Sequence, residues 1–191
     1  MALSCGALSA NITVSCTSLP TSGTTDILYL INDDDLDRSG STIAADGSVT
    51  SLALLASKEI YKFEGTRQSL QVNIPLDQEP ILPKFTPQVQ QRIFSSTQAA
   101  SGAVKNMALG RYVAVIERRG ATDDSFQILG WDSGLTLTAS ELNITDKATA
   151  GTINVTLATS DEESGEEYPY RVWVETDYST TQTALNGKLA S

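Results

Sequence analysis

Along most of the chain, short stretches rich in Val, Ile, Leu, Thr and Tyr are separated by clusters of Gly, Asp, Ser and Pro, the pattern of a mainly β protein. The predicted strands cover residues 26–32, 47–55, 58–64, 69–75, 85–94, 111–119, 125–131, 134–141, 151–159 and 170–176. Alternation is clear where Tyr61 and Phe63 interleave with Lys62 and Glu64, and where Leu135 and Leu137 interleave with Thr136 and Thr138. Such strands turn one face to a core and the other to polar surroundings. Within 85–94, Pro87 cannot donate to a ladder, which predicts an edge or opening strand rather than a central one.

Two segments carry helical spacing. Ser96–Leu109 is Ala-rich, sets Ala100, Val104 and Met107 on one side, and stops at Gly110, the predicted C-cap; Gly102 weakens it. In Tyr178–Ala190, Asp177 or Ser179 supplies the N-cap, and Ala184, Leu185 and Leu189 form a stripe expected to pack on a sheet. No repeat, heptad run or long linker divides the chain. The expected organisation is an N-terminal arm, residues 1–25, and one β-rich domain, 26–191. Its antiparallel sheets form a β-sandwich or barrel-like body with one mid-chain helix and a short C-terminal helix.

Composition narrows the chemistry. The 191 residues include no His, which removes the commonest general base, the Ser-His-Asp and Cys-His pairs and every His-ligated metal site. No P-loop, GxGxxG or GxSxG motif is present, so the expectation is a protein that is not an enzyme and uses no cofactor. The stretch from Met1 to Cys16 lacks a basic n-region and is interrupted by polar residues, unlike a signal peptide. No apolar run approaches the roughly 18 to 20 residues of a membrane span, and no membrane role is expected. Cys5 and Cys16, without a CxxC spacing, are expected as free thiols rather than a disulfide.

The net charge of −10 is unevenly spread. Residues 1–85 carry −5, residues 86–120 carry +4 and residues 121–191 carry −9. The basic island consists of Arg92, Lys105, Arg111, Arg118 and Arg119, and complementary charge of this kind invites contact between copies. The acidic run Asp33, Asp34, Asp35 and Asp37 has partial calcium-loop spacing, with Asp35, Asp37, Ser39, Gly40 and Asp46 at positions 1, 3, 5, 6 and 12. Position 12 is Asp where the bidentate Glu belongs, so a solvated acidic loop is the favoured reading. Asp161, Glu162, Glu163, Glu166 and Glu167 crowd a second segment, which desolvation cost places in water. Trp131, Trp173, Tyr168 and Tyr170 could form a sugar platform, but aromatics in strand patterns are more often core.

The order of parts carries a resemblance. Leu109-Gly110-Arg111-Tyr112-Val113-Ala114-Val115-Ile116-Glu117 follows the Ala-rich helix. Phe126-Gln127-Ile128-Leu129-Gly130-Trp131-Asp132-Ser133-Gly134-Leu135, a Thr-rich strand, and Val172-Trp173-Val174-Glu175-Thr176-Asp177-Tyr178-Ser179-Thr180-Thr181 come after it. Over residues 20 to 190 this resembles virion proteins of tailed bacteriophages, most of all tail tube proteins. The resemblance implies a β-sandwich that assembles into rings, usually hexameric, stacked around a channel for DNA. It also implies location in the phage tail, other tail and connector proteins as partners, and DNA in transit without specific binding. Six copies would give a ring roughly −60 in charge, so an acidic lumen would let DNA slide, with screening confining repulsion to about 8 Å.

On this reading the basic island meets Asp33, Asp34, Asp35 and Asp37, or residues 161–167, of a neighbouring copy. Asp161, Glu162, Glu163, Glu166 and Glu167 form a lumen or acidic loop. Residues 1–25 and 33–48 are expected to order only between subunits. The alternatives are a connector ring, tail terminator or head decoration, or a calcium-stabilised carbohydrate-binding module.

Overall fold

The apolar runs Ile27-Leu28-Tyr29-Leu30-Ile31 and Tyr112-Val113-Ala114-Val115-Ile116 lie side by side at the centre of the fold, paired antiparallel from Leu28 against Ile116 to Ile31 against Val113. A computed structural model describes residues 23–66, 68–77, 84–142, 144–145, 151–160 and 165–190. Its strands, in chain order, are β1 (Thr24–Asn32), β2 (Thr42–Ile43), β3 (Val49–Ser51), β4 (Tyr61–Glu64), β5 (Leu70–Asn73), β6 (Leu76–Asp77), β7 (Lys84–Phe85), β8 (Gln88–Ile93), β9 (Tyr112–Arg118), β10 (Phe126–Leu129), β11 (Thr136–Leu142), β12 (Ile153–Ala158) and β13 (Arg171–Val172). Helix α1 (Gln98–Met107) connects β8 to β9, and α2 (Tyr178–Asn186) follows β13.

The described residues form a mainly β, antiparallel, sandwich-like fold. One sheet has the order β13-β10-β9-β1-β4 and the other β11-β12-β8-β5; β2-β3 and β6-β7 are short separate ladders. Side-chain alternation divides β1 and β9 between two cores. Leu28, Leu30, Ala114 and Ile116 face the second sheet and pack with Val89, Leu135, Val155 and Leu157. Tyr29, Ile31, Val113 and Val115 point the other way, onto Val49, Leu52, Trp173 and Leu185. The five-stranded sheet is therefore a central layer buried on both faces, which is why its strands read as continuous apolar runs. The four-stranded sheet is covered on one face, and β8 alternates accordingly, with Val89 and Ile93 buried and Gln90 and Arg92 exposed.

Local rules explain both helices. The hydroxyl of Thr97 accepts from Ala100 N at 3.3 Å to start α1, and Ala100, Val104 and Met107 pack onto the inter-sheet core. The helix ends at Ala108 in right-handed conformation, so Gly110 is not its cap. Gly110 instead leaves room for the Tyr112 ring, whose hydroxyl donates to Asn106 O at 2.9 Å. Asp177 caps α2 by accepting from Thr180 N at 2.7 Å, a bond that holds its carboxyl below the usual range. Leu185 is fully buried, with Ala184 and Leu189 beside it, as the stripe predicts. Tyr178 stacks on Phe126 with ring centroids 5.4 Å apart and donates to Glu117 Oε1 at 2.6 Å. That bond, together with burial, pushes its hydroxyl up to about 12.

Three local expectations are corrected. β8 lies between β12 and β5, with Pro87 just outside the ladder, so the proline does not push the strand to an edge. Tyr61 is 44% exposed because β4 is the margin of its sheet. Segment 47–55 shortens to Val49–Ser51 and segment 170–176 to Arg171–Val172. Residues 24 and 25, assigned to the arm, belong to β1, while Cys5, Cys16 and the rest of 1–22 lie outside the described residues. Among the described residues no helix is long and apolar enough to cross a membrane.

Candidate assembly surface

The acidic run after β1 is held by its own chain. Asp33–Asp35 form a single 3-10 turn, pinned by buried Leu36, which bridges to Leu54. Asp33 pairs with Arg38, whose Nε donates to Trp131 O at 2.9 Å. Asp35 is buried; Lys58 Nζ lies 2.8 Å from its carboxylate and Asn32 Nδ2 donates to it at 2.7 Å. The bond from Lys58, then that from Asn32, holds the Asp35 carboxyl below its ordinary value. Asp37 accepts from Ser39 Oγ at 2.7 Å and Gly40 N at 2.8 Å, and Asp46 from Ser48 Oγ at 2.7 Å, which lowers both carboxyls. Asp34 stays exposed.

The calcium-loop spacing is not realised, because Asp35, Asp37 and Asp46 each turn to separate partners, and no metal-holding group of acidic side chains forms among the described residues. Residues 33–48 carry hydrogen bonds of their own within the chain, among them Ser39 Oγ and Gly40 N to Asp37 and Ser48 Oγ to Asp46. Asp35, offered as an interface residue, is instead an internal ion-pair partner.

The basic island is contiguous in sequence but not in space, because β9 carries it across the whole domain. Arg111 precedes β9 while Arg118 and Arg119 end and follow it; the six strand residues between Arg111 and Arg118 hold the two groups about 20 Å apart. Arg119 Nη2 donates to Asp26 Oδ2 at 3.1 Å. Lys105 is exposed on α1, and Arg92 is exposed on the outer face of the four-stranded sheet.

Glu166 overturns the expectation that residues 161–167 stay in water. It is 3% exposed. Gly130 and Gly134, at φ +75° and +71°, close a turn with Gly134 N donating to Gly130 O at 3.1 Å, which L side chains would strain. That turn aims Asp132 N, at 2.9 Å, and Ser133 N, at 2.8 Å, at the Glu166 carboxylate. Burial pushes the Glu166 carboxyl up, opposed by those two N–H groups. Glu167 is exposed, and Asp161, Glu162 and Glu163 lie outside the described residues. Nearby, buried Arg171 donates to Gly47 O at 3.1 Å and stacks 4.5 Å from the Tyr168 ring. Trp131 and Trp173 are core residues at 3% and 0% exposure, so the sugar platform does not form.

The surface that sequence reasoning did not single out is the outer face of β11-β12-β8-β5. Cross-strand register aligns Gln71, Gln90, Thr156 and Ala139 in one row, and Arg92, Asn154 and Glu141 in the next. They border a cavity of about 270 Å³, where the Ser69 hydroxyl and the Gln91 and Asn154 side-chain carbonyl oxygens have no hydrogen-bond partner among the described residues. The signal was available in Gln88-Val89-Gln90 and Gln71-Val72-Asn73, whose polar positions all fall on one side of their strands. The arrangement offers hydrogen bonding and wetting, with no nucleophile and base in register.

Comparison with protein-family models, with curated proteins and with solved structures returns no match for this chain.

Proposed function

We propose that this chain is a structural protein that joins copies of itself into rings stacked around a channel, as in the tail tubes of tailed bacteriophages, with the virion tail as its place and DNA in transit as its cargo. The sequence resemblance suggests this reading, and one structural feature supports it above the others: among the described residues the four-stranded sheet ends in two open edges. β11 is seven residues long, with Thr138 to Leu142 exposed, and β5 is the opposite margin. A long open edge is a template for pairing, and closing a sheet through successive copies removes both edges at once. β11 of one copy pairing with β5 of the next gives such a ring.

The outer face of this sheet then borders the bore. Its four strands carry one cation, Arg92, and one anion, Glu141, among amides, hydroxyls and small apolar groups. Affinity for DNA grows with each phosphate neutralised by Lys or Arg, so such a face lets a polyanion pass with little retention. Among the described residues the other acidic side chains lie outside these four strands, exposed Asp34 and Glu167 among them.

Negative-stain microscopy of the purified full chain over a concentration series tests the reading. Tubes or stacked rings are expected. Single particles at the highest concentration overturn it, and rings that never stack favour a connector or terminator.

A further inference from the structure

The five-stranded sheet also has an open margin. Tyr61–Glu64 of β4 pair with Leu30–Ile27 of β1, and on their other side β4 meets no strand among the described residues, although Ile60 just before it bridges to Leu189 on that side. Tyr61 and Phe63 stand opposite Leu30 and Leu28, so both face the side on which α1 packs. There a groove runs along the edge. One part, about 230 Å³, lies among Tyr61, Phe63, Ala103 and Met107; the next, about 360 Å³, lies among Phe63, Phe94, Ala99 and Ala103. Phe63 and Ala103 border both, which makes the trough continuous, and Phe94 beside it is 48% exposed.

An open edge beside an apolar trough fits an extended segment with apolar residues at every second position. The chain has one outside the described residues: Ile12, Val14 and Cys16 alternate with Thr13, Ser15 and Thr17. Residues 1–22 also contain no Asp, Glu, Lys or Arg, so this is the part of an acidic chain that approaches another copy without charge repulsion. We propose that residues 11–17 of one copy add as a strand to β4 of a second copy, seating Ile12, Val14 and Cys16 in the groove. The inference rests on the self-association proposed above and names the partner of this edge.

The geometry at the start of β1 favours a second copy over the chain's own edge. Gly23 O accepts from Arg119 N at 3.1 Å and Thr24 pairs with Arg118, so the backbone joins β1 from the β9 side, away from β4. Between that point and the turn joining β4 to β5 stands a tight polar cluster. Asp26, left-handed at φ 63°, accepts from Ser69 N at 3.0 Å and from Arg119 Nη2 at 3.1 Å, and its carbonyl accepts from Gly65 N at 2.9 Å.

A disulfide trap in the full chain tests the proposal. With Cys5→Ser and Ala99→Cys, mild oxidation is expected to link Cys16 of one copy to position 99 of another, giving covalent multimers that Cys16→Ser abolishes. A bond between these positions within one copy overturns the choice of partner, and bonds joining like positions only overturn the register. Assembled material with no such bond overturns the strand addition while leaving self-association standing; material that stays single at every concentration overturns both. Independently, Val14→Asn puts an amide into the apolar groove and should raise the concentration needed for assembly at least about tenfold, whereas Ser18→Asn should not. Unchanged assembly of Val14→Asn also overturns the proposal.

Discussion

The two sheets share the core between them, yet their far faces have opposite fates. On the five-stranded sheet, Phe126 and Ile128 of β10 are buried against Trp173, Tyr178 and Leu185, so that face is committed to folding. On the four-stranded sheet, the far face of β8 carries Gln90 and Arg92 into solvent, and the margins β5 and β11 have no further strand partner among the described residues. A layer covered twice has little surface left to offer a partner. The layer covered once keeps a polar face and two edges, and it is there that the ring-closing contact is proposed, the other sheet offering a partner only its β4 margin.

The sharpest break in this comparison is a pair of alanine substitutions. Phe126 is 1% exposed and touches both Trp173 and Tyr178. Phe126→Ala should lose about 3–5 kcal/mol, the usual cost of emptying an aromatic site in a packed core. Gln90→Ala on the exposed face should stay within about 0.5 kcal/mol of wild type. Urea unfolding of the two variants checks both, and equal losses would show that the outer face is not free of packing duty.

Glu166 comes next. Glu166→Ala strands Asp132 N and the buried Ser133 N, and leaving buried donors unmade costs about 1–3 kcal/mol. The same unfolding experiment reads it. A loss near zero would mean that solvent already serves the 130–134 turn.

Glu166 also marks where reading the sequence reaches its limit. Apolar runs and alternation suffice to locate β1, β8, β9 and both helices, because burial on one face or two leaves a different period in the chain. The five carboxylates of 161–167 have no such period, and charge density alone places them in water. What buries Glu166 is a pair of backbone N–H groups on a turn some thirty residues earlier. Backbone donors leave no trace in composition. The basic island fails for a related reason: Arg111 and Arg118 are near in sequence, but an extended strand separates what a helix would gather. The polar outer face was visible as alternation, although alternation does not say whether a polar face meets solvent, a partner or a channel.

A smaller effect comes from pH, where two carboxylates act with opposite sign. Asp35 has its pKa lowered by Lys58, so its contribution is complete above the ordinary carboxylate range and lost as pH falls through the folded value. Glu166 has its pKa raised by burial, so the folded state gains relative stability as pH falls through that raised value. Lys58→Met removes the Asp35 partner. The stability difference between this variant and wild type should hold steady near neutrality, shrink in acid, and shrink with added salt because Lys58 is half exposed. A difference that grows in acid would assign the lowered pKa to other groups.

The smallest expected change in stability carries the most information about the open edge. Ser140 lies on β11 opposite Val155, exposed, with Ala139 and Glu141 exposed on either side. Ser140→Lys removes no buried group, so folding should stay within about 0.5 kcal/mol of wild type. Lysine on an edge strand is nevertheless one of the commonest devices against strand pairing, because a neighbour's strand must desolvate the ammonium to approach. The variant should therefore sediment as a single copy at concentrations where wild type assembles, with an unchanged circular dichroism spectrum. If Ser140→Lys assembles like wild type, β11 is not the joining edge, and the contrast between the closed and open sheets must be explained by something other than self-association.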